Sequence, residues 1–207
     1  MKLRKFLILG LIIGLVALTI WYFSSSSDEI NLIILDPGHG ADDVGCSYDG
    51  INEKDINYDI ALRLEKLLKE SGYKVILTHD DSEYVSPYDR AKLANRKGGD
   101  LYISIHQNAA DNTDATGIEI WYSIRNPRSM LLAEMIQKRL IAETSAEDRG
   151  AKLTNSLIVV RETKMPSVLI ECGFLSNEND QNKLNDENYR QKIAESIAQA
   201  VDDFAVN

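Results

Sequence analysis

Apolar and polar positions fall in blocks along this chain, and the period of each block predicts an element. Leu32-Ile-Ile-Leu35 is a continuous apolar run with β-branched members, the pattern of a strand buried on both faces. Asp36-Pro37-Gly38 ends it, because proline cannot donate to a ladder and glycine permits a sharp turn. Leu101–Ile105 is a second such run and leads into His106. Val168-Leu-Ile170 is a third, leading into Glu171 and closed by Gly173. Further strands are predicted over Tyr73–Thr78, over the alternating Thr116–Tyr122, and over Ser156–Val160.

Between these runs the period lengthens to that of a helix. Ile56, Ile60, Leu64, Leu67 and Leu68 form one stripe, with Asn52 as cap, Asp55 completing a weak capping box, and Gly72 as stop. Ser86-Pro87 opens a second helix that runs to Gly98-Gly99, and Asn126-Pro127 a third with the stripe Leu131, Met135, Ile136 and Leu140. Ser176 caps a short helical turn, and a last helix from about Glu187 to Phe204 buries Ile193, Ile197, Val201 and Phe204. Gly38–Gly50 and the acidic Glu143–Gly150 read as loops. The order predicts an α/β fold: a three-layer sandwich with a mostly parallel central sheet flanked by helices, without internal repeat.

Phe6–Phe23 is an apolar run preceded by Lys2, Arg4 and Lys5, and at about 1.5 Å per residue it reaches roughly 27 Å, enough to cross a bilayer core. The basic flank puts the N-terminus inside and the body outside. The expectation is therefore an N-terminal signal-anchor with a serine linker over residues 1–27, and one catalytic domain over 28–207. A cleaved signal peptide is the alternative; either way the body works outside the cytoplasm.

The chain carries 23 basic and 32 acidic residues, a net −9, and its first 27 residues hold three of the basic and none of the acidic ones. The acidic body repels phosphate backbones, so no nucleic-acid partner is expected. Two cysteines, Cys46 and Cys172, are too few for a disulfide scaffold. They fall near the same sheet edge, and whether they pair is left open.

Three strands thus each deliver one chemical group to one edge of a sheet, where open α/β folds gather their ligands. His39, His106 and Glu53, the last in the first turn of a helix, are a set seen in catalytic zinc sites, which keep a fourth position open. Taken singly, each has an ordinary structural reading; their convergence carries the argument. Glu171 directly follows an apolar strand, where an unpaired acid is costly to bury. His79 also follows a strand, but its segment continues into Asp80-Asp81 and reads as exposed, so it is set aside. Gly38-His-Gly40 is no phosphate cradle, because Asp42 and Asp43 would repel phosphate and the third glycine of the motif is missing.

These residues stand in motifs: Ile34–Gly40, Glu53 with Asn57, Arg90 with Ala94-Asn95, Ser104–Ala109, Gly117-Ile-Glu119, Val160-Arg161 and Pro166–Asn177. In that order they resemble the zinc-dependent N-acetylmuramoyl-L-alanine amidases of amidase type 3. The resemblance implies Zn2+ on His39, Glu53 and His106, Glu171 as catalytic acid/base, and peptidoglycan as substrate, cut between muramic acid and L-alanine. Asn108 and Arg161 are candidate substrate contacts, with structural hydrogen bonding as the other reading for each. The layout, an apolar N-terminal segment before a bare catalytic body, is most similar to the spore-cortex amidases, and it leaves open an accessory activator protein. Two positions depart from the family pattern: Gln107 stands where alanine is frequent, and His79 where many members have arginine. The rival readings are a zinc carboxypeptidase-like peptidase and a non-catalytic wall-binding module.

Overall fold

The computed structural model describes residues 29–207, so the N-terminal segment read as an anchor lies outside the described residues. No helix among the described residues is long and apolar enough to cross a membrane. The strands are β1 (Leu32–Pro37), β2 (Ser47–Tyr48), β3 (Ile51–Asn52), β4 (Lys74–Leu77), β5 (Leu101–Asn108), β6 (Ile118–Tyr122), β7 (Asp148–Leu153) and β8 (Ser167–Phe174). The helices are α1 (Glu53–Glu70), α2 (Pro87–Lys97), α3 (Arg128–Thr144), α4 (Ile158–Glu162), α5 (Glu178–Asn185) and α6 (Glu187–Ala205).

Six strands form one sheet in the order β4-β1-β5-β8-β6-β7, and β2 and β3 make a separate two-stranded ribbon. β4, β1, β5 and β8 are mutually parallel, β6 runs antiparallel to β8, and β7 runs parallel to β6. The sheet is therefore mostly parallel, as expected. Its one antiparallel junction has a consequence for the site, because one edge now collects the C-terminal ends of β1, β5 and β8 together with the first residues of β6 and β7.

The period-2 alternation of the strands separates two cores. Ile33, Leu35, Leu101, Ile103, Ile105, Val168 and Ile170 pack with α1, α3 and α6 through residues such as Ile60, Leu64, Ile136, Ile197 and Phe204. Ile34, Tyr102 and Leu169 face the other way, into a smaller core with Ala94 of α2 and Val159 and Val160 of α4. The second face carries less cover, and His106, Glu171 and Glu119 stand on it.

Several expectations are corrected. Ser156–Val160 was expected as a strand, but most of it is helical, α4; a short apolar run fits either element, and this one caps the thin face of the sheet. Asp148–Gly150, expected inside an acidic loop, begins the edge strand β7. Asn52 stands at the N-cap of α1, but its side chain makes no cap bond: its amide donates to Asp55 Oδ2 (3.1 Å), its oxygen accepts from Ser47 Oγ (3.0 Å), and its backbone is held in the β2–β3 ribbon. Asn177, not Ser176, caps α5 by accepting from the amides of Asn179 and Asp180, while Ser176 Oγ accepts from Ala110 N. On α3 the buried stripe includes Leu132 and Ala133, leaving Leu131 41% exposed. Both cysteines are free thiols. Cys172, being next to Glu171 in the strand, points to the opposite face and lies in the larger core.

A buried ion pair ties the central strand to its neighbours. Asp36, 1% exposed, accepts from Arg90 Nη1 (3.1 Å), Thr78 Oγ1 (2.6 Å) and Ser104 Oγ (2.7 Å). Burial alone would raise its pKa, but Arg90 and the hydroxyls hold it below the usual carboxylate range. Asp36→Asn would leave the Arg90 guanidinium buried without a counter-charge, at a cost of about 3–5 kcal/mol. Denaturant unfolding should show a midpoint lowered to match; an unchanged midpoint would mean that the pair holds nothing together.

Candidate metal centre and catalytic edge

His39 lies just beyond β1, in a loop whose carbonyls are captured one after another. Arg90 donates from Nη1 to Pro37 O (2.6 Å) and from Nη2 to His39 O, and Asn57 donates to Gly38 O (3.1 Å). Lys54 Nζ donates to Ala41 O (2.7 Å), and Asp81 Oδ1 accepts from Ala41 N (2.7 Å). His39 needs this support, since its φ of 66° is left-handed, a region that side chains of L residues enter at a cost.

Glu53 opens α1 and is 4% exposed, yet both of its oxygens are satisfied. Oε1 faces His106 Nδ1 (2.9 Å) and accepts from Gln107 N (3.1 Å) and Asn57 Nδ2 (3.3 Å). Oε2 faces His39 Nε2 (3.2 Å) and accepts from Cys46 N (3.0 Å). Burial would raise the Glu53 pKa, but the two imidazoles outweigh it and hold the carboxyl far below the usual range. Gln107, a departure from the family pattern, thus supports the site through its backbone, and its side chain donates to Asn57 Oδ1 (3.1 Å).

One ligand atom from each of His39, Glu53 and His106 lies within 4.8 Å of the other two. Two imidazoles and a carboxylate are the donors a catalytic divalent-metal site uses. His39 Nδ1 stands 3.0 Å from Asp43 Oδ1, a carboxylate that can only accept, so this nitrogen carries its proton and directs Nε2 to the cluster. A histidine ligand held by a carboxylate in this way is the usual outer arrangement of such sites. The surroundings also leave room: a Cβ on Gly38 would lie 2.3 Å from the His106 ring, and one on Gly45 2.5 Å from Glu53 Oε2. The residues present therefore fit a metal ion.

Glu171 is the next residue along the edge. It pairs in register with His106 on one side and Glu119 on the other, so the three side chains stand on one face of the sheet. Its Oε2 is buried and has no hydrogen-bond partner. Burial, above all, raises its pKa to about 7; His106 pulls it down, while Glu53 and Glu119 push it up. A carboxyl titrating near neutrality beside a metal-type donor cluster can take up a proton and give it back.

The remaining expected residues fall elsewhere. A small cleft above the cluster is lined by His39, His106, Tyr84, Pro87 and Val159, and by neither Asn108 nor Arg161. Asn108 donates to Glu119 Oε1 (3.0 Å). Arg161 is 43% exposed on α4 and donates to Glu162 Oε1 (2.9 Å) and Asn155 O (3.2 Å). His79 was expected to be exposed, but it is only 8% exposed. Its Nδ1 accepts from Asp81 N (3.1 Å), so Nε2 carries the proton and donates to Pro37 O (2.7 Å). The nearby Arg90 Nη1 therefore touches that nitrogen without bonding to it. His79 is outside the donor cluster and buttresses the His39 loop. Sequence reasoning missed the structural roles of Asp36, Asp43 and Glu119. For Asp36 the signal existed, an acid at the end of a buried strand, which is the same signal that singled out Glu171.

Residues 33–203 match the family model described as N-acetylmuramoyl-L-alanine amidase. The chain belongs to this family. LytC, an N-acetylmuramoyl-L-alanine amidase of Bacillus subtilis (strain 168), is 38% identical over 167 residues, 80% of this chain but 34% of that protein. The chain thus spans about a third of the length of that relative. YqiI, an uncharacterised protein of the same strain, is 33% identical over 178 residues, 85% of each. Among solved structures, an amidase from Clostridium difficile 630 superposes with a TM-score of 0.80 at 38% identity, covering 86% of this chain and 97% of that one. The CwlD amidase of Clostridioides difficile, solved in complex with the GerS lipoprotein, gives 0.81 at 33% identity, covering 86% and 100%. The α/β sandwich is the fold of these amidases.

Gly38→Ala should separate geometry from stability. The backbone at Gly38 is free of positive φ, so the strain of alanine falls first on the nearest atoms, those of the His106 ring. Divalent-ion affinity should fall by about 10- to 100-fold, as for other changes that re-aim a ligand, while circular dichroism and unfolding stay close to wild type. Competition against a chromophoric chelator measures this; undiminished affinity would remove His106 from the cluster.

A second expectation concerns protons. Burial would lower the His39 pKa, but Glu53 and Asp43 raise it to about 9, so without metal the ring stays charged at neutral pH. A metal must displace that proton. Affinity should climb as pH rises from the ordinary imidazole value toward 9 and flatten above it; calorimetry in buffers of different ionisation heat counts the protons, and zero release at pH 7 would contradict the assignment.

Proposed function

We propose that this protein is a zinc-dependent amidase that hydrolyses the bond between N-acetylmuramic acid and L-alanine in peptidoglycan. The observation that carries the reading is the row His106–Glu171: a partnerless buried carboxylate oxygen in register with a member of a three-donor cluster. The family match supports the substrate.

His39, Glu53 and His106 would hold the ion, and zinc there would polarise the scissile carbonyl and make a water nucleophilic near neutral pH. Glu171 takes the proton of the attacking water at its unpartnered Oε2. It then delivers that proton to the amide nitrogen as the C–N bond breaks, so that the peptide leaves as an amine. Asp43 fixes the His39 tautomer, and Arg90 fixes the backbone on which His39 stands. Asn108 acts at one remove, through Glu119; Arg161, partly exposed, remains the candidate for a direct substrate contact.

We assign the activity to the outside of the cytoplasmic membrane, with the N-terminal segment as anchor or signal, and to the spore cortex. The support is the likeness to CwlD. Since CwlD was solved with a lipoprotein, an accessory protein is part of the proposal.

Purified peptidoglycan supplies the test. Digestion should release peptides with a free N-terminal alanine and leave glycans bearing intact muramic acid, whereas single amino acids from peptide ends would indicate a peptidase. Chelation should abolish turnover and zinc should restore it. Glu171→Gln keeps the shape, and it should retain about one zinc per chain while losing 10²–10⁴ in rate. A variant that binds zinc and cleaves at near the wild-type rate would exclude Glu171 from the chemistry.

A further inference from the structure

The catalytic row does not stop at Glu171. Glu119, the next residue in register, is 4% exposed and binds two cations from the edge strand through one oxygen. Arg149 Nε donates to Glu119 Oε2 at 2.9 Å and Lys152 Nζ donates to the same atom at 2.6 Å. Both cations remain about one-third exposed, at 31% and 34%. Their charged ends are also positioned by rings: Arg149 Cζ lies 4.9 Å from the centroid of Phe174, and Lys152 Nζ 5.3 Å from that of Trp121.

Two positive charges on one buried carboxylate leave a surplus of one, in a protein whose surface is otherwise acidic. Glu147 reaches Arg149 Nη1 only at 4.0 Å and is itself 60% exposed, so water screens that contact. Among the described residues, Arg149 Nη2 has no hydrogen bond, and Lys152 uses one of its three N–H donors. Because both side chains are partly exposed, the donors not used on Glu119 are open to a further acceptor from solution. Positioned, unspent N–H donors are what binds a carboxylate.

Their place relative to the chemistry sets a direction. The ligand cluster lies over β1 and β5, and the proton donor Glu171 over β8. The leaving amine must sit against that donor, which puts the departing half of the substrate over β8 and, continuing outward, over β6 and β7. The departing half is the peptide, which carries the carboxylates.

We propose that Arg149 and Lys152 form a carboxylate-binding subsite for the peptide half of the substrate, with Glu119 as the positioning residue beneath them. The subsite rests on the amidase reading above, and names what that site selects: a peptide with a free carboxylate, extending toward β7.

The test uses the zinc-loaded protein and two muramoyl peptides that differ only in whether the peptide carboxylates are free or amidated. Wild type should hydrolyse the free acid with a kcat/KM about tenfold higher, the difference residing in KM because the contact is made equally before and during reaction. In Lys152→Met and in Arg149→Met the remaining cation keeps Glu119 paired, so both should fold, and in each the ratio of free to amidated substrate should fall toward one. Lys66→Met, which removes an exposed cation from α1, should keep the wild-type ratio. Equal kcat/KM for the two substrates in wild type, or an unchanged ratio in both variants, overturns the subsite and leaves the amidase reading standing. Failure to hydrolyse either substrate overturns the amidase reading, and the subsite with it.

Discussion

The Arg90 guanidinium is the constraint on which the site depends. It is buried, it neutralises Asp36, and it captures the carbonyls of Pro37 and His39 on either side of Gly38. A buried ion pair is weak evidence for stability by itself, since desolvation offsets much of the attraction. Here the pair has a geometric consequence. The same cation that satisfies the acid at the end of β1 holds the next residues in a left-handed turn, and that turn aims His39 at Glu53. His79, which donates to the same Pro37 carbonyl, and Lys54, which donates to Ala41 O, brace the loop further. An unfavourable backbone conformation thus persists because several independent contacts specify it.

The remainder of the site follows from sheet topology. Parallel strands place their C-terminal ends together, which brings His39, His106 and Glu171 to one edge. The reversal of direction at β6 then contributes the start of two further strands to that same edge, so Glu119 and its cations extend the row. The residues share a face because register neighbours point the same way. The shorter helices α2 and α4 pack on that face, while the three longer helices close the opposite core.

Much of this was legible in the sequence, for definite reasons. Apolar runs ended by Pro or Gly located the central strands, and a helical stripe located α1 and α6. An acid or a histidine at or just past the end of such a run marked His106, Glu171 and His39 as candidates, and their convergence on one edge set them apart from ordinary structural residues. What the sequence hid depended on contacts between distant segments. The Leu157–Val160 run fits a strand or a helix by period, and only the sheet face waiting to be covered decides for α4. β7 is an edge strand with mixed polarity, so no alternation marked it. His79 looked exposed beside Asp80-Asp81, and its burial follows from Pro37, a residue 42 positions away. Nothing in the local sequence singles out Arg149 and Lys152, and only the fold brings them onto Glu119.

The central claim is that the chain brings three donors together for one ion and keeps Glu171 beside it as a proton carrier. A crystal structure of the zinc-loaded protein, with anomalous data collected at the zinc edge, tests this most directly. One strong peak is expected at about 2.0–2.2 Å from His39 Nε2, a Glu53 oxygen and a His106 nitrogen, with Glu171 beyond bonding distance. A peak bound by His79, or one with Glu171 as a ligand in place of Glu53, would contradict it.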